Sequence, residues 1–140
     1  MFEFKLQFTE LLIRSFLGFL FLFQGYDKLF KIKMKGVIAT FTVDSDKQHI
    51  PRGFVIMMAY YTSIIELIGG VCLLLGLFTT YTLFALGFDL LLVCFAFSYM
   101  QPMWDLKHVF PRFLLIIILL VFPENDHVFS LDGLLQLRNR

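Results

Sequence analysis

Four long apolar runs, separated by short polar breaks, dominate the chain: about residues 11–30, 54–78, 81–100 and 106–122. A helix needs ~20 residues to cross ~30 Å of hydrocarbon, and the first three runs meet that length. The fourth is continuously apolar only from Phe113 to Phe122, so it spans only if its start takes in Val109 and Phe110. Strand-like alternation is absent, and an open sheet edge does not survive in lipid. Each run therefore predicts a helix. The fold class expected is an all-α integral membrane four-helix bundle, one domain over residues 1–140.

The breaks set the connections. Thr79–Thr80 is too short for anything but a tight antiparallel hairpin between the second and third helices. Gln101, Pro102 and Asp105 join the third to the fourth. The longer stretch from Lys31 to Gly53 holds GVIATFTV between Lys35 and Asp44. It predicts a short interfacial helix or a re-entrant piece. Pro51 and Gly53 then open the second helix. Basic residues are unequally shared. The side with the two longer loops carries Lys28, Lys31, Lys33, Lys35, Lys47, Arg52, Lys107 and Arg112; the other carries Lys5, Arg138 and Arg140. The positive-inside rule puts the longer loops in the cytoplasm and the termini in the periplasm.

Composition sharpens the class and removes others. The chain is 59% hydrophobic and 18% aromatic, with nineteen Phe, against about 45–50% apolar in soluble domains. A net charge of +1 gives no basic excess for nucleic acid. The opening MFEFKLQFTE carries Glu3 and Glu10 in place of a basic n-region, so the first run is expected to stay as a helix. Cys72 and Cys94 lie in apolar runs without a CxxC spacing and read as small packed hydrophobes. His49, His108 and His127 fall in loops or at helix ends, which argues against a facing pair for haem. No Cys/His cluster has metal-ligand spacing, and no phosphate-binding glycine motif is present. The expectation is no metal and no intrinsic cofactor; a redox role has to borrow a quinone or a partner.

The candidate chemistry lies in charges placed within apolar runs. Such residues are costly in lipid and face a bundle interior or a wet cavity. Here they are Arg14, Asp27 and Lys28 in the first helix, Glu66 in the second, Asp89 in the third and Arg112 at the start of the fourth. Arg14, Gly18, Phe21, Gly25 and Lys28 fall on one helical stripe. Glu66, Gly69, Gly70, Leu73 and Gly76 form a second, and Ala85, Asp89 and Ala96 a narrow third. The glycines mark faces for close helix approach. From the Thr79–Thr80 turn, Asp89 lies ~14 Å and Glu66 ~20 Å deep at 1.5 Å per residue. Arg14 enters from that side and is expected to reach toward Asp89, while Lys28 or Arg112 meets Glu66 from the other. Glu66 is then either half of a structural ion pair or the lining of a polar pocket that accepts a proton or binds a small molecule such as a quinone.

These residues carry a resemblance. RSFLGFLFLFQGYDKLF resembles the first-helix signature of the DoxX family at Arg14, Gly18, Phe21, Gly25, Lys28 and Leu29. ELIGGVCLLLGLFT resembles its second-helix signature at Glu66, Gly69, Gly70, Leu74, Gly76, Leu77 and Thr79. The tail FSLDGLL resembles the family ending at Ser130, Leu131 and Asp132. The chain differs in having Thr79–Thr80–Tyr81 where the family often has a basic residue, and PENDHVF before the tail in place of a Gly-rich step.

The resemblance implies a four-helix protein of the bacterial inner membrane. The family is named for a subunit of a thiosulfate:quinone oxidoreductase, and other members resemble membrane partners in redox or thiol-stress complexes. Two functions follow as expectations. One is a membrane subunit of a quinone-linked redox complex, with a membrane or peripheral oxidoreductase as partner. The other is a non-catalytic scaffold that docks a partner through its basic loops. A small transporter is a weaker third, because four helices form a pore only as a homo-oligomer and no inverted repeat is visible.

Overall fold

A computed structural model of the chain describes residues 2–45, 50–100, 109–122 and 130–132. Helix α1 is Phe2–Tyr26, followed by a π-helical turn Asp27–Lys31; α2 is Lys33–Ser45, α3 Arg52–Leu75, α4 Thr79–Met100 and α5 Phe110–Val121. The segments Glu3–Lys31, Arg52–Leu75 and Thr79–Tyr99 are long and apolar enough to cross a membrane. The chain is an all-α, multi-pass membrane bundle.

The apolar pattern misplaces several ends. α1 reaches back to Phe2, because the amphipathic opening continues the helix before the apolar run begins. The expected fourth span, 106–122, is seen as α5; residues 106–108 lie outside the described residues. The 12 residues of α5 cover about 18 Å, less than the ~30 Å of hydrocarbon. The stretch expected as an interfacial helix or re-entrant piece is helical, as α2. The π turn closes with the Ile32 N–H donating to the Asp27 carbonyl at 2.8 Å. Lys33 follows with a φ of 60°, so the chain turns off the α1 axis. α2 then buries Val37, and its Phe41 ring meets Phe97 of α4 at 5.3 Å between centroids.

α1 and α3 make the closest helix pair, and the reason is in their glycines. A Cβ at Gly25 would lie 2.5 Å from the Leu67 backbone nitrogen, and one at Gly70 would run into the Leu22 backbone. Gly18 sits against Leu74 and the Gly70 carbonyl. Lipid removes the hydrophobic drive between helices, so contact depends on such close packing. Gly69 faces Leu86 of α4. The core they enclose includes Leu17, Phe21, Leu73, Leu86 and Ile116.

α3 ends at Gly76, whose φ of 65° is the left-handed conformation that closes many helices. The Leu77 N–H donates to the Cys72 carbonyl at 2.9 Å, and α4 begins at Thr79. The first N–H groups of a helix lack partners within it. Asp132 supplies one: its carboxylate accepts from the Thr79 N–H at 3.0 Å, while its own N–H donates to the Gly76 carbonyl at 3.1 Å. The tail thereby caps α4 and ties down the α3–α4 turn.

Exposure runs opposite to that of a soluble domain. Phe16, Phe84 and Phe95 are 59, 61 and 74% exposed, whereas Glu10, Arg14 and Asp89 are 0% and Glu66 is 1%. Aromatic rings face outward and charges inward, as lipid as the outer solvent demands.

Candidate functional site

The polar interior falls into two clusters. One forms where the C-terminal end of α1 crosses the middle of α3. Gln24, in the last turn of α1, and Lys28, in the π turn that follows, are four residues apart. Both point at Glu66. Lys28 Nζ donates to Glu66 Oε2 at 2.6 Å, and Gln24 Nε2 donates to Oε1 at 3.0 Å. The approach of the two backbones at Gly25 brings these side chains within reach. Glu66 is buried, and Lys28 has 16% of its side chain exposed. Both Glu66 oxygens thus hold a donor, one of them charged, which offsets the desolvation of the pair. Arg112 enters from α5, with its guanidinium 5.9 Å from the centre of the Phe21 ring, a cation–π distance.

The second cluster lies toward the α3–α4 turn. Arg14 Nε donates to Glu10 Oε1 at 2.8 Å, and Arg14 Nη1 donates to the Leu73 carbonyl at 2.7 Å. Arg14 therefore does not reach Asp89, contrary to expectation. Glu10 lies one turn away on the same helix, and the end of α3 brings the Leu73 carbonyl beside it. Gly76, Ser130 and Asp132 gather at the same turn. A Cβ on Gly76 would lie 2.7 Å from Arg14 Nη1 and 2.5 Å from Ser130 Cβ. Gly18, Gly25, Gly69 and Gly70 are helix-contact glycines, as described above.

Asp89 is hydrogen-bonded to neither cluster among the described residues. It is fully buried on α4, and neither carboxylate oxygen has a hydrogen-bond partner among the described residues. Gln24 and Glu10 escape a reading that searches for charges inside apolar runs. Gln24 is neutral, and Glu10 precedes the first run. Their signal is i, i+4 spacing to Lys28 and Arg14. Cys72 and Cys94 are half-buried free thiols. His49, His108 and His127 lie outside the described residues.

Beside the Glu66 cluster is a cavity of about 180 Å³ between α1, α2, α3 and α4. Gln24 and Lys28 line it, with Phe41, Phe54, Thr62 and Phe97 among its walls. Phe54 is also half exposed, so the cavity reaches the outer surface there. The arrangement is an apolar chamber with an ammonium and an amide on one wall and a buried carboxylate behind them. It suits a ligand with an apolar body and an oxygen acceptor at one end.

The family model for DoxX matches residues 9–99. No curated protein and no solved structure matches the chain. The matched stretch runs from α1 through nearly all of α4 and holds the two glycine-bearing stripes that pack against each other. The chain belongs to the DoxX family.

Proposed function

We propose that the protein is the membrane subunit of a quinone-linked redox complex and that the cavity beside Glu66 receives the quinone head group. The observation that carries this reading is the double role of Gln24 and Lys28, which line the cavity and also hold Glu66. A quinone offers carbonyl acceptors and no donors. An ammonium has three donor hydrogens and an amide two, so each side chain keeps donors after serving Glu66. Pockets for whole drug-sized ligands run about 300–1,000 Å³; a cavity of about 180 Å³ fits a head group whose tail leaves toward lipid past Phe54.

Bound there, a quinone would accept or supply electrons and protons for a membrane or peripheral oxidoreductase partner. The chain's own residues do the positioning. Lys28 and Gln24 orient the acceptor oxygen. Glu66 holds Lys28 in place through their hydrogen bond. The apolar walls enclose the ring. The setting proposed is the bacterial inner membrane, with the basic loops in the cytoplasm.

The test is affinity purification of the tagged chain in mild detergent, with mass spectrometry of co-purifying proteins and extracted lipids. The expected result is quinone in near-stoichiometric amount together with an oxidoreductase. Lys28→Met should cut quinone retention at least ~10-fold, the cost of one charged hydrogen bond of about 1.5–3 kcal/mol. Glu66→Gln should lower retention or turnover while the fold persists. A protein that carries only bulk lipid and no oxidoreductase sinks the reading and leaves a scaffold with structural charges.

A further inference from the structure

A second buried carboxylate lies within reach of the cavity's inner end. The α3 residues that line the cavity run from Phe54 to Thr62, and those of α4 run from Phe97 back to Val93. The two helices are antiparallel across the tight turn after Gly76. Glu66 lies four residues past Thr62, and Asp89 four residues before Val93. Four residues is about one turn and keeps the same face. Both carboxylates therefore lie one turn beyond the lining, at the same end of the cavity.

Their surroundings differ. Glu66 accepts from Lys28 and Gln24. Asp89 is buried with no donor to either oxygen among the described residues. The titratable groups whose charge acts on Asp89 are Glu66 of α3 and Lys28 of the π turn; Asp89 in turn acts on Tyr61 of α3, and Arg112, from α5, is acted on by Glu66. Lys28 donates to Glu66 and not to Asp89. An ionised carboxylate with no donor is expensive to bury. Two carboxylates in unlike settings divide into a fixed anion and an acid.

We propose that Asp89 is a proton-exchanging group at the inner end of the cavity, with Glu66 as its fixed anionic neighbour. At rest Asp89 carries its proton. In the exchange step the Asp89 O–H bond breaks and the proton passes to an oxygen of the cavity's occupant or to water. The carboxylate left behind recovers a proton from water entering by the cavity, and no electrons move on this chain. The proposal rests on the cavity being a ligand site, but its test needs no ligand.

The experiment is infrared difference spectroscopy of the full chain in lipid nanodiscs on transfer from H₂O to D₂O. The expected result is a protonated carboxylic C=O band that shifts with D₂O and with isotope-labelled aspartate. It should vanish in Asp89→Asn and persist in Glu66→Gln. Ala96→Phe, which fills the cavity from a lining position, should slow the exchange several-fold. A wild-type protein without such a band overturns the proposal, as does a band that survives Asp89→Asn or exchanges at an unchanged rate in Ala96→Phe. Should Asp89→Asn not fold, aspartate labelling of the wild type still assigns the band. An intact Asp89 band in a protein that retains no quinone would sink the quinone reading alone.

Discussion

At the scale of single residues, the buried charges differ in how firmly each is held. Arg14 spends two donors on Glu10 and the Leu73 carbonyl, at 0% exposure. Removing one side of a buried pair strands the other, typically at a cost of about 3–5 kcal/mol. Arg14→Gln should lower stability in detergent by that order, read from thermal or denaturant unfolding. The Glu10→Gln, Arg14→Gln double variant should lose less than the sum of the two singles, because the partners are in contact; strict additivity would refute the coupling. That Arg14 is buried was legible, since a charge in an apolar run has nowhere cheaper to go. Which charges meet was legible in part: Lys28 meets Glu66 as expected, whereas Arg14 pairs with Glu10. Arg14 and Asp89 agreed in depth, yet pairing also depends on rotation about each helix axis, which depth does not encode.

At the scale of elements, the glycines rank by what stands opposite. Gly70 faces the backbone of Leu22, which cannot yield without moving α1, whereas Gly69 faces the Leu86 side chain, which can change rotamer. Gly70→Ala should therefore destabilise by about 2 kcal/mol or more, within the range for overpacking, and Gly69→Ala by clearly less. Equal losses in matched unfolding experiments would contradict the ranking. Asp132 acts at a helix end. Asp132→Ala removes the cap on the Thr79 N–H and should cost ~1 kcal/mol. The same change should speed hydrogen exchange in the first turn of α4, and unaltered exchange there would count against the cap. The sequence marked the glycine stripes and the tail residues. It did not show that the tail closes the α3–α4 turn, because residues 76 and 132 are joined only by folding.

For the whole molecule, the outward aromatic shell and inward charges fit a bilayer. The proposed orientation, with the termini outside the cytoplasm, rests on the basic loops and the positive-inside rule. An alkaline phosphatase reporter fused after Arg140 should be active, and a fluorescent reporter there dark. The opposite pattern would invert the assignment and place the tail, with its cap on α4, in the cytoplasm. The expected fourth crossing is the least legible part of the fold. A run of 12 helical residues falls below the length that makes hydropathy decisive, so its span depends on flanking packing that composition does not report.

The sequence by itself determined the class, the helical runs and the residues that must face inward. Lipid imposes those choices locally: each run needs its backbone bonds satisfied within itself, and each charge needs shelter. Tertiary structure decided between the possible partners. Close approach at Gly25 and Gly70 brings Lys28 and Gln24 to Glu66 and opens a cavity beside them. The same packing leaves Asp89 buried with no donor among the described residues. Such contacts join residues about 40 positions apart, and they follow from the relative rotation and crossing of helices, for which no local pattern exists.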